Sequence, residues 1–169
     1  MAGPVGYGLC GIDSLDQAMR SVRSVKSDLD LNAQEVASAT EALRDHQHLH
    51  DLTRATRAAG FLCPGSGVVL AREDVGCHNA LDKLMGALSH HGIHPGSGAA
   101  VMTSRLSVEL VQKCAVAGIP VLIAISAPTG AAVRLAEEAG IPLAAFARGG
   151  GFDVYSHPHR IKEEAANVA

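Results

Sequence analysis

Two segments constrain this chain more than any other. Ala117-Gly118-Ile119-Pro120 and Ala139-Gly140-Ile141-Pro142 repeat the same four residues, and each runs directly into an apolar stretch. Glycine fits the left-handed turn that ends a helix, and proline cannot carry the helix on. Helices are therefore expected over 107–116 and 131–139, with strands over 121–126 and 143–147 behind them. A further strand is expected over 99–103. Apolar strands alternating with helices build sheets that are mostly parallel and covered on both faces. Trp is absent and aromatics make up 3% of the chain, so both faces of such a sheet must be filled by Ala, Val, Leu and Ile. The 169 residues suffice for one domain with its own core.

Upstream the pattern is looser. Residues 1–11 carry Gly3, Gly6, Gly8 and Gly11 and read as a loop. Ser14-Leu15-Asp16-Gln17 has the form of a capping box, followed by Leu15, Met19 and Val22 at helical spacing. Asn32 with Glu35 marks a second helix start. Val36, Thr40, Leu43 and Gln47 lie on one stripe, which carries that helix to about His50. Residues 68–71 read as a short buried strand. Residues 79–89 read as a helix with Leu81, Leu84, Met85 and Leu88 on one face, and 91–98 as a Gly- and Pro-rich loop. No linker divides the chain.

In sheets of this kind ligands gather at the C-terminal ends of the strands. Three such ends carry polar groups: Thr103-Ser104-Arg105, Ser126-Ala127-Pro128-Thr129 and Arg148-Gly149-Gly150-Gly151. Arg105 and Ser107 precede a helix, and Ser126 and Thr129 flank another helix start. Free backbone N–H groups and the helix dipole favour an anion there. An anion or phosphate site is expected, set against plain capping and turn chemistry. Glu73 to Asn79 forms a second polar cluster, in which His78 is a candidate general base and Asp74 a candidate to orient it. The alternative is that Asp74 or Asn79 caps the following helix. Cys10, between Leu9 and Gly11 in a loop before a helix start, is a candidate thiolate. His46, His48, His50 and Asp51 lack an obvious fourth ligand and second shell, so a solvated face is favoured over a metal.

A formal charge of −3 without a long basic run argues against a polynucleotide partner. No apolar run is long enough to span a membrane, and Met1-Ala2-Gly3-Pro4 does not open a secretory signal. Cys10, Cys63, Cys77 and Cys114 form no CxxC pair, so reduced thiols in the cytoplasm are expected.

Four segments together resemble the FdhD family, the accessory sulfurtransferases of formate dehydrogenase. The stretch from Glu73 to Lys83 is similar to its motif E-D-V-G-R-H-N-A-x-D-K. That from Ser104 to Lys113 is similar to G-R-x-S-x-E-x-V-x-K. The run Ala117-Gly118-Ile119-Pro120-Val121 to Ser126-Ala127-Pro128-Thr129 resembles A-G-I-P-V…S-A-P-[ST]. Phe146-Ala147-Arg148-Gly149 with Phe152 to Tyr155 resembles F-x-R-G…F-N-[IV]-Y. The resemblance implies an α/β, three-layer, cytidine-deaminase-like fold with a mostly parallel mixed sheet, and a homodimer. It implies delivery of sulfur from a cysteine desulfurase to a molybdenum or tungsten pterin cofactor of a molybdoenzyme. It also implies a guanine-nucleotide site, for GDP or molybdopterin guanine dinucleotide, with no ligand expected to be tightly bound.

The chain departs from the family at several points. The sulfur-carrier loop C-G-x-C-G matches Tyr7-Gly8-Leu9-Cys10-Gly11, so only its second Cys is kept. The segment T-G-G-x-H-A-A is Thr53-Arg54-Ala55-Thr56-Arg57-Ala58-Ala59. Cys77 stands where the family has Arg, and Ser104 where it has Gly. The family's N-terminal region is expected to be absent. The expected catalytic residues are thus Cys10, Asp74, Cys77 and His78. The expected ligand-binding residues are Arg57, Arg105, Ser107, Ser126, Thr129 and Arg148. Sulfur transfer is the first function implied. A repurposed acid/base enzyme acting on a small biosynthetic substrate is the second, and a non-catalytic partner of a full-length relative is the third.

Overall fold

A computed structural model describes residues 22–162. The two Gly-Ile-Pro segments end helices as their sequence requires. Gly118 closes α4 (Val108–Ala117) with φ 78°, and Gly140 closes α5 (Gly130–Ala139) with φ 72°. Each leads into a strand, β5 (Val121–Ala124) and β6 (Leu143–Arg148). Thr129, just before α5, accepts a hydrogen bond from the Ala132 N–H at 3.2 Å and fixes where that helix begins.

The remaining elements, in chain order, are β1 (Leu31–Asn32), α1 (Ala33–Arg44), α2 (His48–Thr53), β2 (Arg57–Cys63), β3 (Gly67–Asp74), α3 (Cys77–His90), β4 (Ala99–Met102), β7 (Gly151–Ser156) and β8 (Ile161–Lys162). Six strands form one sheet in the order β3-β2-β4-β5-β6-β7. β4, β5 and β6 pair in parallel, while β2 is antiparallel to both β3 and β4, and β7 to β6. β3, β4, β5 and β6 therefore point the same way, and the sheet is mixed with four of its strands aligned. A separate parallel pair joins β1 to β8.

Alternation along the strands divides the core into two halves. Ala100, Met102, Leu122 and Ala124 face Leu81, Leu84, Leu110, Val111 and Leu135 of α3, α4 and α5. Ala99, Val101, Val121 and Ile123 face Val36, Ala39 and Leu43 of α1. Both faces are buried, which is why these strands read as unbroken apolar runs. The expected three-layer α/β architecture is the one observed.

Three expectations change. The helix opened by Asn32 does carry its capping box: Asn32 Oδ1 accepts from the Gln34 N–H at 2.7 Å, and Glu35 Oε2 from the Asn32 N–H at 3.2 Å. It ends at Arg44 rather than His50, and α2 starts afresh at His48. The stripe continues across the break because Gln47 is itself buried, but the first amides of α2 are held by Glu73 of β3. The segment around 68–71 is a longer strand, β3, and lies at the sheet margin with Val69 39% exposed rather than buried. The central strand β2 was not anticipated at all. Its Arg-Ala-Ala-Gly-Phe-Leu-Cys sequence lacks β-branched residues. α1 crosses close over Gly60, where a Cβ would stand 2.7 Å from Leu43 Cδ1 and that side chain would have to shift. The smaller differences at 77–79, 103, 107, 125–126, 130 and 148 are shifts of element ends. The capping pattern at 14–17 and the loop at 1–11 lie outside the described residues.

Candidate functional site

The aligned strands end along one edge of the sheet, so the loops after β3, β4, β5 and β6 all leave from that edge. β2 runs the other way, so its first residue, Arg57, lies at this edge too, paired with Asp74 of β3. The loops after β4 and β5 are joined by a parallel bridge between Leu106 and Pro128. The Thr129 N–H donates to Leu106 O at 2.9 Å, and the Leu106 N–H to Ala127 O at 3.2 Å. These bonds set the entrances of α4 and α5 side by side, so two helix N-termini open on the same edge. Arg57, Arg105, Thr129 and Arg148 are exposed there, and Ser107 and Ser126 are half-buried. All six expected ligand-binding residues thus lie on one edge. Arg148 is also tied locally, its guanidinium 6.0 Å from the Phe146 ring.

The polar cluster after β3 is organised by two carboxylates. Glu73 accepts from the Leu49 N–H at 2.7 Å, the His50 N–H at 2.8 Å and the Thr56 hydroxyl at 2.8 Å. Burial works against its charge, but these three donors outweigh it and hold the Glu73 carboxyl below its ordinary range. Asp74 pairs with Lys83 Nζ at 2.5 Å and accepts from the Gly76 N–H at 3.0 Å and Asn79 Nδ2 at 3.2 Å. The Lys83 contact leads in pulling its pKa down to about 2, with Gly76 and Asn79 adding to it. The expectation that Asp74 orients His78 is therefore corrected: its partners are Lys83, Gly76 and Asn79, and it acts as the clasp at the start of α3.

His78 faces α4 instead. Its Nε2 lies 3.2 Å from Ser107 Oγ and 4.0 Å from Glu109 Oε2, while its Nδ1 lies 3.9 Å from Cys77 Sγ. Ser107 occupies the N-cap position of α4 but makes no side-chain cap. Its hydroxyl is spent on His78. Glu109 is the site residue that sequence reasoning missed. A signal for it existed. A capping box needs an acidic or amide residue at N3, as Glu35 is for Asn32. Here N3 is Leu110, so neither Ser107 nor Glu109 has a reciprocal partner on its own helix.

The other thiols differ from Cys77. Cys114 is buried in the α4 core, and desolvation pushes it up to about 12. Burial also raises Cys63. Cys77 sits half-buried at the first turn of α3. Cys10 lies outside the described residues. His50 is turned inward, its Nδ1 2.9 Å from Thr56 O. Among the described residues no group of three His, Cys, Asp or Glu side chains is placed to hold a metal ion. None of their helices is long and apolar enough to cross a membrane.

Residues 1–162 match the FdhD/NarQ family. The chain is 52% identical over 161 residues to the sulfur carrier protein FdhD of Bordetella bronchiseptica, across 95% of this chain and 58% of that protein. It is 52% identical over 164 residues to that of Agrobacterium fabrum, across 95% of this chain and 60% of that one. The chain thus spans somewhat over half the length of these relatives. A crystal structure from Desulfotalea psychrophila, assigned as a formate dehydrogenase accessory protein, superposes with a TM-score of 0.76 at 28% identity. It covers 83% of this chain and 60% of its own.

Proposed function

The chain belongs to the FdhD/NarQ family, and from that membership we propose that it carries sulfur, as a persulfide on Cys10, to a molybdopterin-type cofactor or a related acceptor. The observation that carries this function is the identity of about half of all aligned positions to proteins named sulfur carriers, over 95% of the chain. A cysteine desulfurase is the donor that suits such a carrier, and a molybdoenzyme of the formate dehydrogenase type is the destination. The acceptor's phosphates are bound at the strand edge. Two helix N-termini and the guanidinium groups of Arg57, Arg105 and Arg148 offer donors and positive charge there. GDP is the simplest mimic of a guanine-dinucleotide acceptor. The working unit is a homodimer.

Incubation of the full chain with a cysteine desulfurase and cysteine, followed by intact mass measurement, tests the carrier step. The protein should gain one sulfur atom, lose that gain in Cys10→Ala and keep it in Cys114→Ala. No gain in the wild type, or an equal gain in Cys10→Ala, would sink the proposal. Calorimetry with GDP tests the edge. Arg105→Ala should weaken binding more than Lys113→Ala, because Arg105 is exposed at the edge. Lys113 is already engaged by Asp82 at 2.6 and 2.8 Å.

A further inference from the structure

We infer that Cys77, His78 and Glu109 form a second sulfur-handling centre, in which Cys77 takes sulfane sulfur from a small-molecule persulfide. The inference deepens the sulfur-carrier function and rests on it for its substrate class, but its geometry is independent of Cys10.

The arrangement is thiol, imidazole, carboxylate. Cys77 Sγ stands 3.9 Å from His78 Nδ1, and on the far side of the ring Nε2 meets Ser107 Oγ at 3.2 Å and Glu109 Oε2 at 4.0 Å. A thiol is activated by a base within reach, and the base by a third group that orients it and balances its charge. When Nδ1 takes the Cys77 proton, the ring becomes a cation whose Nε2–H points to the Ser107 hydroxyl and the Glu109 carboxylate. Glu109 and Ser107 are positioning residues here, since they act through His78. The groups come from two helices. Cys77 and His78 open α3, while Ser107 and Glu109 belong to the entrance of α4. The fold therefore sets the triad as it sets the ligand edge. His78 is 39% exposed and Glu109 20%, so a solute can reach the pair. Two ion pairs flank the triad on α3, Lys83 with Asp74 and Asp82 with Lys113.

The step moves one sulfur atom with no net oxidation. The Cys77 thiolate attacks the outer sulfur of R–S–SH and forms a new S–S bond. The old S–S bond breaks, its electron pair leaves on R–S⁻, and that thiolate takes the proton held by His78. The products are Cys77 persulfide and R–SH.

The test uses the full chain in two measurements. Iodoacetamide labelling, followed peptide by peptide in the wild type, should modify Cys77 at least about ten-fold faster than Cys63 near pH 7. In His78→Ala the Cys77 rate should fall several-fold near neutrality and recover in base, where solvent replaces the imidazole. Glu109→Gln should move the same profile part of the way. A structural role for His78 would change labelling at every pH alike. Glutathione persulfide then supplies sulfur to Cys10→Ala, whose Cys77 peptide should gain one sulfur atom. Cys77 labelled no faster than Cys63, an unchanged pH profile in His78→Ala and Glu109→Gln, or no sulfur on that peptide would each overturn the inference. Wild-type loading on Cys10 alone would overturn it and leave the carrier function standing. Loading on Cys77 alone would do the reverse.

Discussion

Removing the Glu73 carboxylate should loosen one side of the site in a measurable way. Three donors converge on it: the Leu49 and His50 N–H groups at the start of α2 and the Thr56 hydroxyl just before β2. In Glu73→Ala all three lose their acceptor. A hydrogen bond to a charged group contributes about 1.5–3 kcal/mol when shielded from water. Leu49 is 50% exposed, so its amide can turn to solvent, whereas Thr56 is 7% exposed and its hydroxyl has little access to water. Counting at the low end and discounting for solvent screening gives a loss of about 2–3 kcal/mol. Glu73→Gln keeps one acceptor oxygen but sets an NH₂ against a backbone donor, and should cost about half as much. The sign with pH follows from the lowered pKa. The carboxylate's contribution is complete above the ordinary glutamate range and is lost as pH falls through the depressed value. The gap between wild type and Glu73→Gln should hold from neutrality downward and close in acid. Urea unfolding measures the total, and amide exchange locates it. Protection should fall across residues 48–53 in Glu73→Ala while the strands β4 and β5 keep theirs. A loss below about 0.5 kcal/mol, within the range of an ordinary surface substitution, would refute the assignment of Glu73 as the clamp on α2. So would unchanged exchange at 48–53.

Other outcomes follow from the same geometry. The Asp74 carboxyl should titrate near 2 by NMR and move up toward the ordinary range in Lys83→Met; an unmoved inflection would mean Lys83 is not its main partner. Because that pKa is depressed, the clasp at the start of α3 should persist through mild acid and open only as pH falls through about 2. Gly118→Ala should cost about 1 kcal/mol by thermal unfolding, since φ is 78° but the space beside it is open. Gly98→Ala should cost more, about 3 kcal/mol, because its Cβ would run into the Leu62 carbonyl and stand 2.9 Å from the Phe61 ring. Equal losses for the two glycines would contradict the distinction between backbone strain and core collision.

What the sequence disclosed and what it hid follow one physical division. The helix ends at Gly118 and Gly140, the capping box at Asn32 and Glu35, and the runs at 99–102 and 121–124 are local. Each is decided by neighbours a few residues away, so each was legible. β2 was hidden because Arg57–Cys63 is a strand by virtue of its two neighbours and the helix above it, not by propensity. The split between α1 and α2 was hidden because the acceptor that restarts the helix is Glu73, more than twenty residues on.

The site obeys the same division, and that bears on its chemistry. Asp74 looked available to His78 because the two are close in sequence, yet its charged partner in space is Lys83, one helix turn on from Asn79, which also bonds it. Ser107 looked like an ordinary cap, yet the helix it precedes leaves it without a reciprocal partner, and its hydroxyl turns to His78 instead. Groups that local structure satisfies become framework, as Thr129 does at α5. Groups that local structure leaves over must find partners across the fold. At this edge those left over are Cys77, His78, Ser107 and Glu109, together with the exposed Arg57 and Arg105. A thiol, an imidazole, a carboxylate and two cations remain where four strand ends and three helix entrances lie along one edge. The arrangement of side chains at this edge is therefore set by tertiary contact between the starts of α3 and α4. A substitution that shifts either start, such as loss of the Asp74 clasp, should disturb the His78 environment without touching it.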